Sequence, residues 1–490
     1  MTTAAPLIVW FRQDLRLCDN PAFTHAAKSG QPVVALYILD ETRGVRTLGA
    51  ASRWWLDKSL ESLAEGLRTR LGGRLILRRG PAQRVLQTLI EQSGATSVCW
   101  NRLYDAGQIA RDEAIERDLT RARVTCRSFN AALLNEPWQV SKADGGDYRV
   151  FTAYWRAANV AADCPEPFAP PSTVNWVKSN LASEERAAWR LHPTSPDWST
   201  GFSDWCPGET GALARLGDFL SDGAAGYAGG RDFPATPATS RLSPHLHFGE
   251  IGPRQVYAAA AKAAVAHDAA GTDIETFEKE LGWREFNHNV LFHHPDIPTR
   301  NFRAAFDGFP WRDDRKGFQA WKHGRTGYPI VDAGMRELWA TGWMHNRVRM
   351  IVASFLTKHL LIDWRRGEAW FWDSLVDADL ANNAANWQWV AGSGADAAPY
   401  FRIFNPVLQG AKYDPDGKYV RRWVPELAGL PDRLVHRPWE ADQKTLEAAG
   451  VRLGSDYPAP IIDHTVARNR ALAAYRSRRG PPPSGRERAE

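Results

Sequence analysis

A change of rhythm partway along the chain is the strongest constraint on its fold. Short β-rich runs occupy residues 7–11 (LIVWF), 33–40 (VVALYILD), 74–79 (RLILRR), 97–101 (SVCWN) and 123–129 (RVTCRSF). Helical stretches near 52–71, 81–93 and 105–122 lie between them. Strand–helix alternation of this kind predicts a parallel sheet flanked by helices. From about residue 207 the pattern turns helical, with apolar residues three and four apart in 209–220, 253–265, 275–292, 328–342 and 344–361. Seven prolines (Pro137, Pro165, Pro167, Pro170, Pro171, Pro193, Pro196) interrupt the stretch between the two regions and predict an extended connector. The expected organisation is an α/β, Rossmann-like domain over 1–133, a linker over 134–206, an all-α domain over 207–475 and a disordered basic tail over 476–490.

Composition narrows the class. The 490 residues are 44% hydrophobic and 24% charged, which suits a soluble globular protein of two or three domains. No run of about 18 apolar residues exists, so no membrane partner is expected. The opening lacks a secretory pattern, and the five cysteines form no CxxC pair. Both features predict a reducing compartment such as the bacterial cytosol. The net charge of +5 equals the excess in the last 25 residues, which hold seven Arg against two Glu. The body is therefore neutral, and any polyanion site must be a local groove. No G-x-G-x-x-G follows the first strand, so a dinucleotide fingerprint is absent. The unusual count is 22 tryptophans, which either fill the core or do chemistry by stacking on a flat ligand or passing electrons.

Four segments could carry chemistry. In ETFEKELGWREF, Glu280, Trp283 and Arg284 share one helix face; the plain reading is an amphipathic boundary with a Glu–Arg pair. In MHNRVRM, Asn346, Arg349 and Met350 share a face, while Arg347 points elsewhere, to solvent or phosphate. In DADLANNAANWQW, Asp377, Asp379, Asn383, Trp387 and Trp389 crowd thirteen positions. No His or Cys stands at ligand spacing there, so no metal is expected. In TSRLSPHLHFG, the hydroxyls of Thr239, Ser240 and Ser243 suit either a phosphate or a helix cap.

Together with the opening VWFRQDLRLCDNPA, the PGETGALARL run, and the long segments 326–368 and 382–410, these motifs resemble the photolyase/cryptochrome family across residues 7–475. Among its members the chain is most similar to class I cyclobutane pyrimidine dimer photolyases. The resemblance implies FAD held in the helical domain by Tyr227, Thr239, Ser240, Arg241, Leu242, Ser243, Arg349, Asp377, Asp379 and Asn383, with Arg349 paired to Asp377. It implies an electron-hopping chain of Trp387, Trp364 and Trp311. It places Glu280, Asn346, Met350, Trp283 and Trp389 at the lesion, with Asn383 at the flavin ring. Arg231, Glu280, Trp283, Arg284, Asn346, Arg347 and Gln409 should meet DNA. The implied activity is light-dependent splitting of pyrimidine dimers in double-stranded DNA by a monomer. The alternatives are a blue-light photoreceptor, against which Asn383, Glu280 and Met350 argue, and (6-4) repair, which Met350 disfavours.

The sequence departs from the family in two places. Where folate-binding relatives carry Asn-Glu and Cys-Lys pairs, this chain has Gly107-Gln108 and Pro298-Thr299. Methenyltetrahydrofolate at the usual cleft is thus not expected, and the antenna is a deazaflavin, another chromophore or none. Gly282 stands where a larger apolar residue is common, which predicts looser packing nearby.

Overall fold

The computed structural model describes residues 4–161, 165–266, 271–397 and 401–477. The five β-rich runs form one fully parallel sheet of order β3-β2-β1-β4-β5. Its strands are β1 (Leu7–Phe11), β2 (Val33–Asp40), β3 (Leu75–Gly80), β4 (Ser97–Asn101) and β5 (Thr125–Phe129). β1 pairs with β2 and β4 in parallel, Leu7 opposite Val33 and Ser97. All five residues of β1 are buried, as a central parallel strand requires. The last strand begins two residues later than the sequence pattern suggests. Arg123 sits at φ 61°, a left-handed turn that ends the preceding helix and delays the strand.

The chain divides into two compact units. The first comprises residues 1–228, 238–295 and 376–379, so it joins the sheet, the proline-rich segment and the helix Gly271–His293. The proline-rich segment is less of a free connector than its composition suggests. It carries a helix, Phe151–Ala161. Asn175 and Val177 hydrogen-bond to Val33 through their backbones, and the Trp176 indole packs on Phe23 at 6.3 Å. The second unit comprises residues 229–237, 296–375 and 380–490. Its described part is helical, including Pro329–Thr341, Asn346–Ser354, Trp364–Ser374, Leu380–Ala391, Pro406–Tyr413 and His464–Ser477.

The segment 344–361 reads as one helix but is not. Regular α geometry ends at Ser354, and a π turn runs from Phe355 to His359. That turn buries Lys358, whose ammonium donates to the Arg402 carbonyl at 2.7 Å. The final helix continues through residues 476 and 477, which the sequence pattern assigns to the tail. The rest of that tail, 478–490, lies outside the described residues.

Candidate functional site

In the first unit the site is built around the short Val376–Asp379 segment. Ser243 Oγ donates to Asp377 Oδ2 at 2.6 Å, so one of the three candidate hydroxyls is already held against a carboxylate. Its neighbours divide the remaining tasks. Leu242 is buried in an apolar cluster with Tyr227, Phe219 and Phe277, so its side chain packs rather than binds. The Arg241 guanidinium lies 4.4 Å over the Trp205 ring. Tyr227 meets Phe219 and Phe277 edge-on at 5.5 and 5.7 Å.

Asp379 is flanked by two imidazoles, those of His247 and His288, each 3.6 Å from its carboxylate. Burial opposes a charge on Asp379, but the two histidines and Arg284 outweigh it and hold the carboxyl well below the usual range. Burial also pushes His288 down to about 4, so its ring is neutral at neutral pH. None of the four ring nitrogens has a hydrogen-bond partner among the described residues. Buried polar groups are costly without partners. Unmet nitrogens beside an ionised carboxylate, with Ser243 on the nearby Asp377, fit a large polar cofactor such as FAD. The sequence pattern contained His247 and His288 but gave neither a role.

Glu280, Trp283 and Arg284 lie on the Gly271–His293 helix, and the structure separates their duties. Trp283 stacks on Phe151 with centroids 3.8 Å apart and planes 9° off parallel. Such a pair contributes roughly 0.5–1.5 kcal/mol beyond its buried area. Phe151 comes from the proline-rich segment, where no helix was expected. Gly282 is not loosely packed: a Cβ there would overlap the Trp155 ring, which fills the space a larger residue would take. Arg284 Nη1 donates to the Ala132 carbonyl at 2.7 Å, and its side chain is 14% exposed. The next residue, Glu285, accepts the Leu134 and Asn135 N–H groups at 2.8 and 3.1 Å. Glu280 is half-buried.

In the second unit Asn346, Arg347, Arg349 and Met350 share the helix Asn346–Ser354. Arg347 pairs with Asp232 at 2.6 Å, covers the Tyr413 ring at 4.5 Å and lies 3.9 Å from the Met350 sulfur. The structure thus brings Arg347 and Met350 together, as their i,i+3 spacing allows, although Arg347 was expected to point elsewhere. Arg349 Nε donates to the Met344 carbonyl at 2.7 Å. Arg231 adjoins Asp232 in a turn, and Gln409 is half-buried on the helix Pro406–Tyr413. Asn383 Nδ2 donates to both the carboxylate and the carbonyl of Glu368, at 2.9 and 3.1 Å. With the amide nitrogen so engaged, its Oδ1 is the atom left to face a ligand.

The three tryptophans of the expected electron chain all lie in the second unit. Trp387 is buried edge-on to Phe371 at 4.9 Å and to Trp321 at 6.2 Å. Gly367 makes room for it, since a Cβ there would overlap the indole. Trp364 is fully buried, and Trp311 is half-buried against Phe309 at 4.4 Å. Trp389 donates to the Asp396 carbonyl at 3.1 Å.

Two places for an antenna chromophore were considered from sequence. A sheet of this order offers its ligand crevice outside the carboxyl ends of β1 and β4. Here that edge is filled by ion pairs, Arg12–Asp112 at 2.6 Å and Arg111–Asp40 at 2.7 Å, with both guanidiniums within 5 Å of the Trp10 ring. At Gly107 a Cβ would overlap the Gly44 carbonyl. Among the described residues no group of three His, Cys, Asp or Glu is placed to hold a metal, and no helix is long and apolar enough to cross a membrane.

Comparison with known proteins agrees with this geometry. Residues 7–172 match the family model for DNA photolyase, and residues 277–477 match that for the FAD binding domain of DNA photolyase. A deoxyribodipyrimidine photo-lyase from Agrobacterium fabrum is 54% identical, covering 96% of this chain and 98% of the relative. Cryptochrome-1 of Arabidopsis thaliana is 40% identical over 94% of this chain and 69% of its own length. The crystal structure of a bacterial class III photolyase from Agrobacterium tumefaciens superposes with a TM-score of 0.95 at 53% identity, covering 98% of this chain and 99% of that one.

Proposed function

The chain belongs to the DNA photolyase family, and we propose that its reaction is the light-driven splitting of cyclobutane pyrimidine dimers in double-stranded DNA. The observation that carries this reading is Met350. A thioether beside Asn346 and Arg347 can pack against bases but cannot pass a proton. Splitting a cyclobutane ring needs an electron and no net proton transfer, whereas a histidine at this place would suit (6-4) repair.

When bound and reduced, FAD supplies one electron on illumination and takes it back. The rest is the work of the protein. Thr239 and Ser240 hold the phosphates with their hydroxyls and Ser243 with its backbone N–H, Asp377 and Asp379 line the cofactor, and the Asn383 carbonyl accepts from the flavin ring. Arg349 also helps to hold the cofactor. Enzymes that act on a base within a duplex, photolyases among them, turn it out of the stack. Trp283 and Trp389 then wall the apolar side of the extruded dimer, and Asn346 and Met350 touch its bases. Glu280 hydrogen-bonds the dimer and stabilises its radical anion. Arg231, Arg347 and Gln409 fix the strand without reading sequence. Separately, Trp387, Trp364 and Trp311 relay electrons inward to return oxidised flavin to its reduced form. The protein acts as a monomer.

The test is a duplex carrying one thymine cyclobutane dimer, mixed with chemically reduced holoenzyme and illuminated in the near ultraviolet. Light-dependent recovery of intact thymines is expected, with none in the dark. No recovery with reduced flavin bound would sink the assignment. Repair of a (6-4) duplex instead would move the substrate, and inactivity on both would favour the photoreceptor reading.

A further inference from the structure

The middle tryptophan of the relay is wired differently from its neighbour. Trp387 Nε1 has no hydrogen-bond partner among the described residues. Trp364 Nε1 donates to Asn301 Oδ1 at 2.9 Å, and Asn301 Nδ2 in turn donates to Asp307 Oδ1 at 2.8 Å. Trp364 is fully buried and Asn301 is 9% exposed, while Asp307 reaches solvent. The chain indole–amide–carboxylate therefore runs from the core to the surface. Its loop is pinned from the far side. Gln388, adjacent to Trp387, accepts the Phe302 N–H at 2.8 Å and donates to the Ile297 and Arg300 carbonyls at 2.6 and 2.8 Å. One other charge bears on Trp364: the Arg365 guanidinium lies 4.8 Å over its ring, answered by Asp363 at 3.0 Å.

Resting on the electron relay proposed above, we propose that Asn301 and Asp307 are positioning residues that stabilise an electron vacancy on Trp364 relative to Trp387, so that the vacancy moves outward. A hydrogen bond from an indole that has lost an electron is stronger than one from a neutral indole, and a carboxylate polarising the accepting amide strengthens it further. The Trp387 indole has no such support. In the step itself one electron leaves Trp364 and fills the vacancy that the photoexcited flavin left on Trp387. The Nε1 proton stays in place, because an amide oxygen is too weak a base to take it. Trp311 then gives one electron to Trp364, and an exogenous thiol restores Trp311. Without Asn301 the Arg365 cation over the ring would oppose the vacancy.

The test uses holoenzyme with oxidised FAD, time-resolved absorption of the tryptophan radicals, and steady photoreduction with added thiol. Asn301→Leu removes the acceptor, and Asp307→Asn removes a charge at the surface, where folding is not at stake. Both should return the vacancy from Trp387 to the flavin more often and lower the photoreduction yield, by about threefold or more for Asn301→Leu. Asn301→His supplies a base, so the Trp364 radical should appear in its neutral, deprotonated form. Unchanged yield and radical kinetics in both Asn301→Leu and Asp307→Asn, with Trp364→Phe inactive in photoreduction, would overturn the inference and leave the relay standing. Full photoreduction by Trp364→Phe would remove the relay and this inference with it.

Discussion

On the proposed function, repair depends on Glu280 and photoreduction of the flavin on Trp311. Glu280→Ala should retain flavin and lesion binding but lower the repair quantum yield, by about threefold to tenfold if one charge-stabilising hydrogen bond is lost. An unchanged yield would remove its role. Trp311→Phe should block photoreduction of oxidised flavin yet leave repair by chemically reduced enzyme intact; loss of both would mean the two reactions share the residue. At this scale a residue's type narrows the chemistry it can do, as with Met350 and Asn383, but it does not say where a long side chain turns. Arg284 shares the face of Glu280 and Trp283 by spacing, but its guanidinium reaches back to the Ala132 carbonyl. His247 and His288 went unnoticed because they are 41 positions apart and meet only through Asp379.

The helix Gly271–His293 works on two faces. One presents Glu280 and Trp283; the other holds residues 132–135 through Arg284 and Glu285. Burial raises Glu285 to about 7, outweighing Arg284 and the two N–H donors. Its folded value lies above its unfolded one, so it stabilises the fold most below about pH 4.5 and loses that contribution as pH rises through about 7. Melting temperature should therefore fall from pH 5 to 8 in the wild type and much less in Glu285→Gln, a difference on the order of 2 kcal/mol. Parallel curves would show that burial does not control this carboxyl. Gly282→Leu should destabilise by about 1–3 kcal/mol, read as a lower denaturant midpoint, because the Trp155 ring must move. Element types were legible from periodicity, but the helix Phe151–Ala161 was not, since nearby prolines outweighed its short FTAYWRAANVA pattern. The π turn at Phe355–His359 has no sequence signal, as it preserves the apolar spacing of a helix.

Over the whole molecule, a neutral body with its surplus charge near one end means that DNA affinity rests on few local cations. Arg347→Ala should weaken binding to damaged and intact duplexes alike and reduce the slope of log affinity against log salt by about one. An effect confined to damaged duplex would assign Arg347 to the lesion instead. The parallel sheet followed from strand–helix alternation, whereas its strand order and the division into two compact units did not, because composition changes at about residue 207 and packing does not. The charged edge of the sheet also sets a rule for redesign. To graft a second light-harvesting pigment there, a designer would have to remove Arg12, Arg111, Asp40 and Asp112 together and refill the space with apolar side chains. Deleting Arg111 alone would leave Asp40, and deleting Asp112 alone would leave Arg12, without its ion-pair partner inside the protein, at a cost of roughly 3–5 kcal/mol. Stepwise mutation thus meets a barrier at that edge that a single concerted exchange avoids.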